Sequence, residues 1–217
     1  TFLSKVDNSV QYYSIAPALE SGPKALVLSV HGASVEARNQ ARAYKQKDWV
    51  TIAAATNRRP FGFNWEDWGR IDALEVLEEA KRVFKTIPEQ TYLTGHSMGG
   101  HGTWFLGTTY PGKFAAIAPC ASYPDISTYG FDKGDEMHDK FKAYEPIKRS
   151  ANSGRVKSLV QNLKQDGVYI LHGDADSTVP ISQVREMRQI LGTFHPNFCY
   201  YEYPGGEHWY GDHSVDW

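Results

Sequence analysis

The feature that most constrains the fold is a serine between two glycines, in the stretch Gly95-His96-Ser97-Met98-Gly99. The residues before it, Thr91 to Thr94, favour a β-strand. The residues from Met98 to Tyr110 have a helical composition and end at a Pro-Gly pair. A sharp turn strains the backbone of its middle residue and leaves no room for side chains beside it. The sequence therefore predicts a strand-to-helix turn that raises the Ser97 hydroxyl above a sheet.

Continuous apolar runs recur along the chain, as in strands that are buried on both faces of a parallel sheet. The predicted strands are Ala25–Val30, Trp49–Ala55, Tyr92–Thr94, Phe114–Ala118, Val168–Leu171 and Asn197–Tyr203, with Val10–Ile15 as an antiparallel leader at the sheet edge. Helical segments lie between the strands. This alternation predicts a doubly wound, mostly parallel α/β sheet with helices on both faces, which binds ligands at the carboxyl ends of its strands.

Two helices and one irregular segment complete the predicted domain. The clearest helix follows Asp67, its predicted N-terminal cap, and ends at Pro88. Its apolar face is predicted to comprise Ala73, Val76, Leu77, Ala80, Val83, Phe84 and Ile87. A second helix is predicted from Ser182 to Leu191. Residues 122–166 are only weakly periodic, and we interpret them as a partly helical insertion near the ligand site, with a plain surface excursion as the competing interpretation.

Length and composition place the chain among ordinary globular domains. Its 217 residues suit one domain spanning 1–217, and 41% hydrophobic and 22% charged residues are typical of such domains. The net charge of −2, with interspersed Lys and Arg, argues against a nucleic-acid partner. We expect no membrane span, no metal and no cofactor, because no long apolar run and no metal-ligand motif is present. Cys120 and Cys199 are predicted to be small core residues without a disulfide.

The partners of Ser97 are sought at the ends of later strands, because a serine nucleophile needs a base, and the base needs a carboxylate. After Val168–Leu171 comes HGDADSTVP, and after the last predicted strand comes PGGEHW. The order Ser, Asp, His is that of a nucleophile elbow and its partners. The same glycine-flanked serine also fits a simple helix cap, which is the alternative interpretation of the turn.

Within these two loops we select Asp176 and His208. Asp176 is preferred to Asp174 because the residue nearer the strand more often bonds the backbone of its own turn. His208 is preferred because a Gly-Gly pair precedes it, which favours a loop that presents the side chain. The remaining histidines are interpreted as polar, structural or tail residues (His213, His195, His172 and His101), and His96 as a packing residue inside the elbow.

An acyl-transfer site also needs hydrogen-bond donors for a developing oxyanion. The backbone N–H of Met98 is the first predicted donor. The second is expected in the loop after Ala25–Val30, where His31-Gly32-Ala33-Ser34 follows. We predict the N–H of Ala33, with Ser34 as the alternative, and we expect His31 to hydrogen-bond the loop itself.

Four stretches together resemble the α/β-hydrolase catalytic domain of the prolyl oligopeptidase family and of neighbouring esterase families, which include feruloyl and polyhydroxybutyrate esterase-like proteins. They are VHGAS, GHSMGGHGTWFLGTTYPGKFAAIAP, HGDADSTVP and GGEHW, and they span nearly the whole chain. The resemblance implies a serine hydrolase, peptidase or esterase, acting on a small ester or peptide. It implies Ser97 as nucleophile, Asp176 as orienting acid and His208 as general base.

The stretch NRRPFGFNWEDWGRIDALEVLEEA looks like one that occurs in long, multidomain prolyl-oligopeptidase-like peptidases. Because the chain also starts at Thr1 without a signal peptide, we expect it to be part of a longer protein with further domains. The compartment stays open, and a secreted or periplasmic origin is consistent with this sequence.

Three questions are left open by the sequence. A non-catalytic binding module for carbohydrate or peptide is the alternative function, since fold alone does not imply activity. Trp65 and Trp68 fit either stacking on a substrate or packing at a helix start. Arg58 and Arg59 fit either a substrate carboxylate or ion pairs with the acidic residues 66 and 67.

Overall fold

The computed structural model describes residues 1–59, 64–126 and 145–209. Its strands are β1 (Phe2–Leu3), β2 (Val10–Gln11), β3 (Ser14–Ala16), β4 (Ala25–Val30), β5 (Val50–Ala54), β6 (Thr91–His96), β7 (Ala116–Cys120), β8 (Gly167–Gly173) and β9 (Phe198–Tyr203). Seven of them form one sheet in the order β3-β5-β4-β6-β7-β8-β9. Only the β3–β5 pair in this sheet of described strands is antiparallel. The predicted mostly parallel α/β sheet is confirmed.

The helices are α1 (Ala37–Arg42), α2 (Asp67–Phe84), α3 (Met98–Thr109), α4 (Glu145–Ser150), α5 (Val156–Leu159) and α6 (Ser182–Gly192), with short 3₁₀ turns at Pro88–Gln90, Ala151–Gly154 and Val160–Gln165. α2 packs on β4 and β5, and α3 packs on β6 and β7. Among the described residues, no helix combines the length and the apolar character that crossing a bilayer requires.

The core forms where the central strands meet α2 and α3. Leu26, Leu28 and Val30 of β4 are fully buried, which fits a central strand covered on both faces. Trp104 and Leu106 of α3 are fully buried beside them. This dense centre fixes the carboxyl ends of β4, β6 and β8, and the candidate site lies at those ends.

Two predicted strand limits and one predicted core residue need correction. The single leader Val10–Ile15 is wrong, because β2 pairs with β1 in a separate two-stranded sheet and only β3 joins the main sheet. The strand predicted at Phe114–Ala118 begins two residues later, since Phe114 turns into the core before pairing starts. Cys199 is exposed on β9, the last strand of the sheet, and is not a core residue.

The clearest predicted helix also differs at both ends. Glu66 is the residue before α2 and Asp67 its first residue, so the prediction of Asp67 as cap is wrong. The helix ends at Phe84, before Pro88, because Lys85 adopts a left-handed conformation with φ 49°. Val83 is exposed, whereas Ala73 and Leu77 lie in the core as predicted.

Part of the predicted insertion 122–166 belongs to the core. Residues 127–144 lie outside the described part of the chain. Helix α5 and the 3₁₀ turn after it pack against α3, and Val156, Val160 and Leu163 are buried. For residues 156–163 the interpretation as a surface excursion is therefore wrong. The predicted role of the insertion near the ligand site stays a prediction.

Candidate active site

Ser97 occupies a strained turn between β6 and α3. Its backbone has φ 59° and ψ −120°, in the region that non-glycine residues rarely adopt. A Cβ on Gly99 would overlap the carbonyl oxygen of Val30, and a Cβ on Gly95 would lie 2.6 Å from the same oxygen. The glycines are therefore required because α3 begins directly against β4. The Ser97 side chain makes no capping bond to the helix, so the helix-cap alternative is wrong.

Asp176 lies in the turn after β8, with its two carboxylate oxygens held by different groups. Oδ1 accepts the backbone N–H groups of Thr178 at 2.9 Å and Val179 at 2.8 Å. Asp174 instead accepts the N–H of Gly205, in the neighbouring loop, at 2.7 Å. It is thus Asp176, and not Asp174, that bonds its own turn, so the reason given from sequence for preferring Asp176 is wrong.

The loop that carries His208 is joined to the Asp176 loop by backbone hydrogen bonds. The N–H of Asp174 donates to Tyr203 at 3.1 Å, and that of Ala175 donates to Gly206 at 3.0 Å. A Cβ on Gly173 would overlap the Gly206 carbonyl. The close approach of two glycine-containing loops therefore brings the carboxyl ends of β8 and β9 together.

The structure brings Ser97, His208 and Asp176 into one hydrogen-bonded row. His208 Nε2 lies 2.9 Å from Ser97 Oγ, and His208 Nδ1 lies 2.8 Å from Asp176 Oδ2. A carboxylate only accepts hydrogen bonds, so Nδ1 carries the proton and Nε2 is free to accept the serine hydroxyl. His208 and Asp176 are buried, whereas Ser97 at the other end of the row is partly exposed.

The charge on Asp176 is stabilised by its neighbours. Burial alone raises the pKa of this carboxyl, but hydrogen bonds from His172, His208 and the Val179 N–H outweigh it and hold the pKa well below its ordinary value. Asp176 is therefore an anion throughout the neutral range, and it orients the His208 ring without taking its proton.

Two further histidines contact this row, and sequence reasoning missed both contacts. His172 Nε2 lies 3.3 Å from Asp176 Oδ2. His96 donates from Nε2 to the carbonyl oxygen of His208 at 2.7 Å, and its ring stacks on Trp209 with centroids 4.7 Å apart. His96 was predicted only to pack inside the elbow. The signal available in the sequence was that each lies at a strand's carboxyl end.

The environment of His96 disfavours its charged form. Burial, followed by the nearby His208, lowers the pKa of His96 to about 4. The ring is therefore neutral at pH 7, with its one proton on the nitrogen that bonds the His208 carbonyl.

The loop after β4 passes close to the serine. A Cβ on Gly32 would lie 3.5 Å from Ser97 Cβ, and the Val35 N–H donates to Gly32 at 3.3 Å, which leaves Ala33 and Ser34 at the tip of a turn. Met98 is the first residue of α3, so its N–H has no partner within the helix. His31 lies 2.9 Å from the Gly32 carbonyl, as expected of a residue that bonds the loop.

Trp65 is a packing residue. Its side chain is fully buried, and its Nε1 donates to the carbonyl oxygen of His31 at 3.0 Å. Burial leaves it no surface for a substrate. Trp68 is about half exposed, and the Arg58 guanidinium lies 5.4 Å from its ring centroid.

Arg58 has acidic partners other than the two considered from the sequence. It pairs with Glu75 at 2.6 Å and with Asp7 at 3.1 Å. Its Nε lies 3.6 Å from the buried Asp72. Arg58 therefore forms an ionic cluster with these three acidic residues. Arg59 is exposed.

The family follows from a comparison with known proteins. The sequence profile of the prolyl oligopeptidase family matches residues 56–217, which is more than half of the chain. The chain belongs to the prolyl oligopeptidase family. Membership makes it a serine hydrolase, and it does not favour the alternative of a non-catalytic binding module.

Individual relatives are more distant. The chain is 28% identical over 199 residues to an uncharacterized secreted protein of Arthroderma benhamiae, covering 85% of this chain and 21% of that protein. It is 24% identical over 212 residues to poly(3-hydroxyalkanoate) depolymerase C of Paucimonas lemoignei, covering 86% of this chain and 49% of that protein. The chain thus spans half or less of the length of these relatives.

The fold is shared with solved hydrolases. A puromycin-hydrolyzing peptidase of Mycobacterium tuberculosis superposes with a TM-score of 0.74 at 15% identity, covering 95% of this chain and 35% of that one. At this identity the likeness shows the fold alone, which is the predicted α/β-hydrolase fold.

Proposed function

We propose that the protein hydrolyses carboxylic esters through an acyl-enzyme formed on Ser97. The observation that carries the proposal is the row of hydrogen bonds in which His208 Nε2 lies 2.9 Å from Ser97 Oγ and Nδ1 lies 2.8 Å from Asp176 Oδ2. These distances are those that a nucleophile, its base and the orienting acid require.

The reaction follows from these contacts in two halves. His208 Nε2 takes the Ser97 proton as Oγ attacks the ester carbonyl carbon, and then returns it to the departing alcohol oxygen. In the second half His208 Nε2 removes a proton from water, which attacks the acyl carbon, and then gives this proton to Ser97 Oγ as the bond between Oγ and the acyl carbon breaks and the acid is released. Asp176 remains ionised and stabilises the protonated His208 in both halves.

The oxyanion of each tetrahedral intermediate is assigned to the backbone N–H groups of Met98 and Ala33. The Met98 N–H lies at the positive end of α3, which favours negative charge. The proximity of the Gly32 turn to Ser97 supports Ala33 as the second donor. Neither donor requires a side chain, so substitutions that keep the backbone leave this part of the site intact.

An ester is proposed in preference to an amide for a chemical reason. An alcohol leaves the tetrahedral intermediate more readily than an amine, so an ester requires less protonation of the leaving group. The relatives and structural neighbours include proteins named for ester hydrolysis and proteins named as peptidases, so the choice rests on the chemistry.

A matched pair of substrates tests the proposal: p-nitrophenyl acetate and p-nitroacetanilide, which differ only in the bond that is cleaved. We expect turnover of the ester and much slower turnover of the anilide. Ser97→Ala should lower kcat for the ester by on the order of 10³-fold or more. Ser158→Ala, which removes an exposed serine of α5, is the control and should match the unmodified protein. Equal ester turnover by Ser97→Ala would refute the proposal.

A further inference from the structure

His172 lies at the carboxyl end of β8, four residues before Asp176, and is completely buried. Its Nε2 is 2.8 Å from the carbonyl oxygen of Val179 and 3.3 Å from Asp176 Oδ2. Both of these atoms are acceptors. Nε2 therefore carries a proton that it donates to the Val179 carbonyl, and the charged Asp176 Oδ2 is the next oxygen within reach of that N–H.

The contacts of Asp176 show what this N–H contributes. Oδ1 is held by the two backbone N–H groups of its turn, and Oδ2 receives Nδ1–H from His208. The His172 N–H is a second donor group within 3.3 Å of Oδ2. The carboxylate is thus fixed in rotation by groups other than the base that it must orient.

We propose that His172 is a positioning residue of the proposed hydrolysis, holding Asp176 Oδ2 in line with His208. The inference rests on the proposed function. His172 touches no reacting atom, and its effect reaches Ser97 only through Asp176 and His208. Without the His172 N–H, the Asp176 carboxylate loses a restraint on its rotation. Its negative charge is then also stabilised by one donor fewer.

Both effects have a direction that can be measured. Loose orientation of His208 slows the chemical steps more than it weakens substrate binding, so kcat should fall while KM changes little. A carboxylate with one donor fewer stabilises a protonated His208 more strongly, so the acidic limb of the kcat/KM profile should move to higher pH. His96, whose ring centroid lies 4.8 Å from that of His208, and the adjacent Glu207, which accepts a hydrogen bond from Ser177, are unchanged in the variants below.

A purely structural role is the competing explanation, because His172 also bonds Val179. His172→Gln keeps an N–H donor near the position of Nε2, whereas His172→Leu has similar bulk and no donor. His195 provides a matched control, since it is also buried and its Nε2 bonds the Leu163 carbonyl at 2.8 Å, away from Ser97. His195→Leu removes this bond and the one that Nδ1 accepts from the Asn197 N–H, so it reports what the loss of a buried, hydrogen-bonded histidine does to the protein in general.

The experiment measures p-nitrophenyl acetate hydrolysis from pH 5 to 9, with the amount of folded protein checked by circular dichroism. For His172→Leu we expect kcat to fall about tenfold, the scale of one hydrogen bond to a charged group, with KM within about twofold and the acidic limb at higher pH. His172→Gln should recover most of kcat, and His195→Leu should keep both kcat and the profile. If His172→Leu does not fold, His172→Asn replaces it, because its shorter amide does not reach Oδ2.

The outcomes separate this inference from the proposed function. If the unmodified protein shows no activity that depends on Ser97, the proposed function fails and the inference fails with it. If that activity is present and the donor-free variant matches the unmodified protein in kcat and profile, only the inference is overturned. It is also overturned if His172→Gln is as impaired as the donor-free variant, because the N–H is then not what matters.

Discussion

Two buried carboxylates in this protein accept similar backbone hydrogen bonds but face different charged or titratable partners. Asp72 of α2 accepts the N–H groups of Thr56 and Asn57 at 3.0 and 2.8 Å, much as Asp176 accepts those of its own turn. Asp72 then faces Arg58, whose charge is permanent. Asp176 faces His208, whose imidazole can gain or lose a proton near neutral pH.

The two carboxyls respond differently to these surroundings. Burial raises the pKa of Asp72, because the hydrogen bonds from Thr56 and Asn57 and the nearby Arg58 oppose it only in part. At Asp176 the donors outweigh burial and the pKa falls. A buried ionic cluster therefore does not identify an active site. The distinguishing feature of Asp176 is a histidine partner, His208, whose other ring nitrogen lies 2.9 Å from a serine hydroxyl, that of Ser97.

The largest effect is expected when the carboxylate of the candidate site is neutralised. Asp176→Asn should lower kcat for an ester by on the order of 10³ to 10⁴-fold, because an amide does not stabilise the protonated base or fix its tautomer. Asp174→Asn is the matched control in the same loop, and it should keep activity within about threefold because Asp174 bonds only backbone and lies outside the row. Similar losses of kcat in both variants would show that the loss comes from disturbing the loop and not from removing the Asp176 charge.

A stability effect without an activity effect is expected in the Arg58 cluster. Arg58→Met removes the cation beside Asp72 and Glu75 and should lower the free energy of unfolding by about 3 kcal/mol, measured by urea denaturation. The folded fraction should keep its kcat. Arg185→Met, which breaks the more exposed pair with Glu202, should lower the free energy of unfolding far less, because solvent screens an exposed ion pair. A large fall in kcat of folded Arg58→Met would contradict the view that the Arg58 cluster contributes to stability and not to catalysis.

The smallest effect concerns pH and His96. The pKa of His96 is about 4 in the folded protein and 6.5 as its ordinary value, so on acidification the unfolded chain takes up a proton that the folded protein still excludes. The contribution of neutral His96 to the free energy of unfolding is fully present above pH 6.5 and is lost as the pH falls towards 4. Urea denaturation at pH 7, 5.5 and 4.5 should show a shallower loss for His96→Gln, which keeps a donor for the His208 carbonyl. Identical pH dependence in both proteins would contradict this assignment.

Local patterns explain what the sequence predicted well. The strand Ala25–Val30 and the helix from Ser182 were correct to within a residue because their apolar patterns and flanking turns are local. The glycines around Ser97 were interpretable because the steric limits of a sharp turn act within five residues.

Contacts between distant segments explain what the sequence missed. Arg58 meets Asp7 and Glu75, which lie 51 and 17 residues away, and no periodicity encodes that pairing. The bond from His96 to the His208 carbonyl likewise depends on how the loop after β9 approaches β6. The exposure of Cys199 depends on β9 being the last strand of the sheet.

The central claim is that Ser97 is a nucleophile activated by its hydrogen-bonded row. The most direct test is intact mass spectrometry after exposure to a fluorophosphonate, which phosphonylates an activated serine. The account predicts one adduct on the unmodified protein and on Ser158→Ala, and none on Ser97→Ala. It also predicts much slower labelling of Asp176→Asn. An adduct that persists in Ser97→Ala, or no adduct on the unmodified protein, would contradict it.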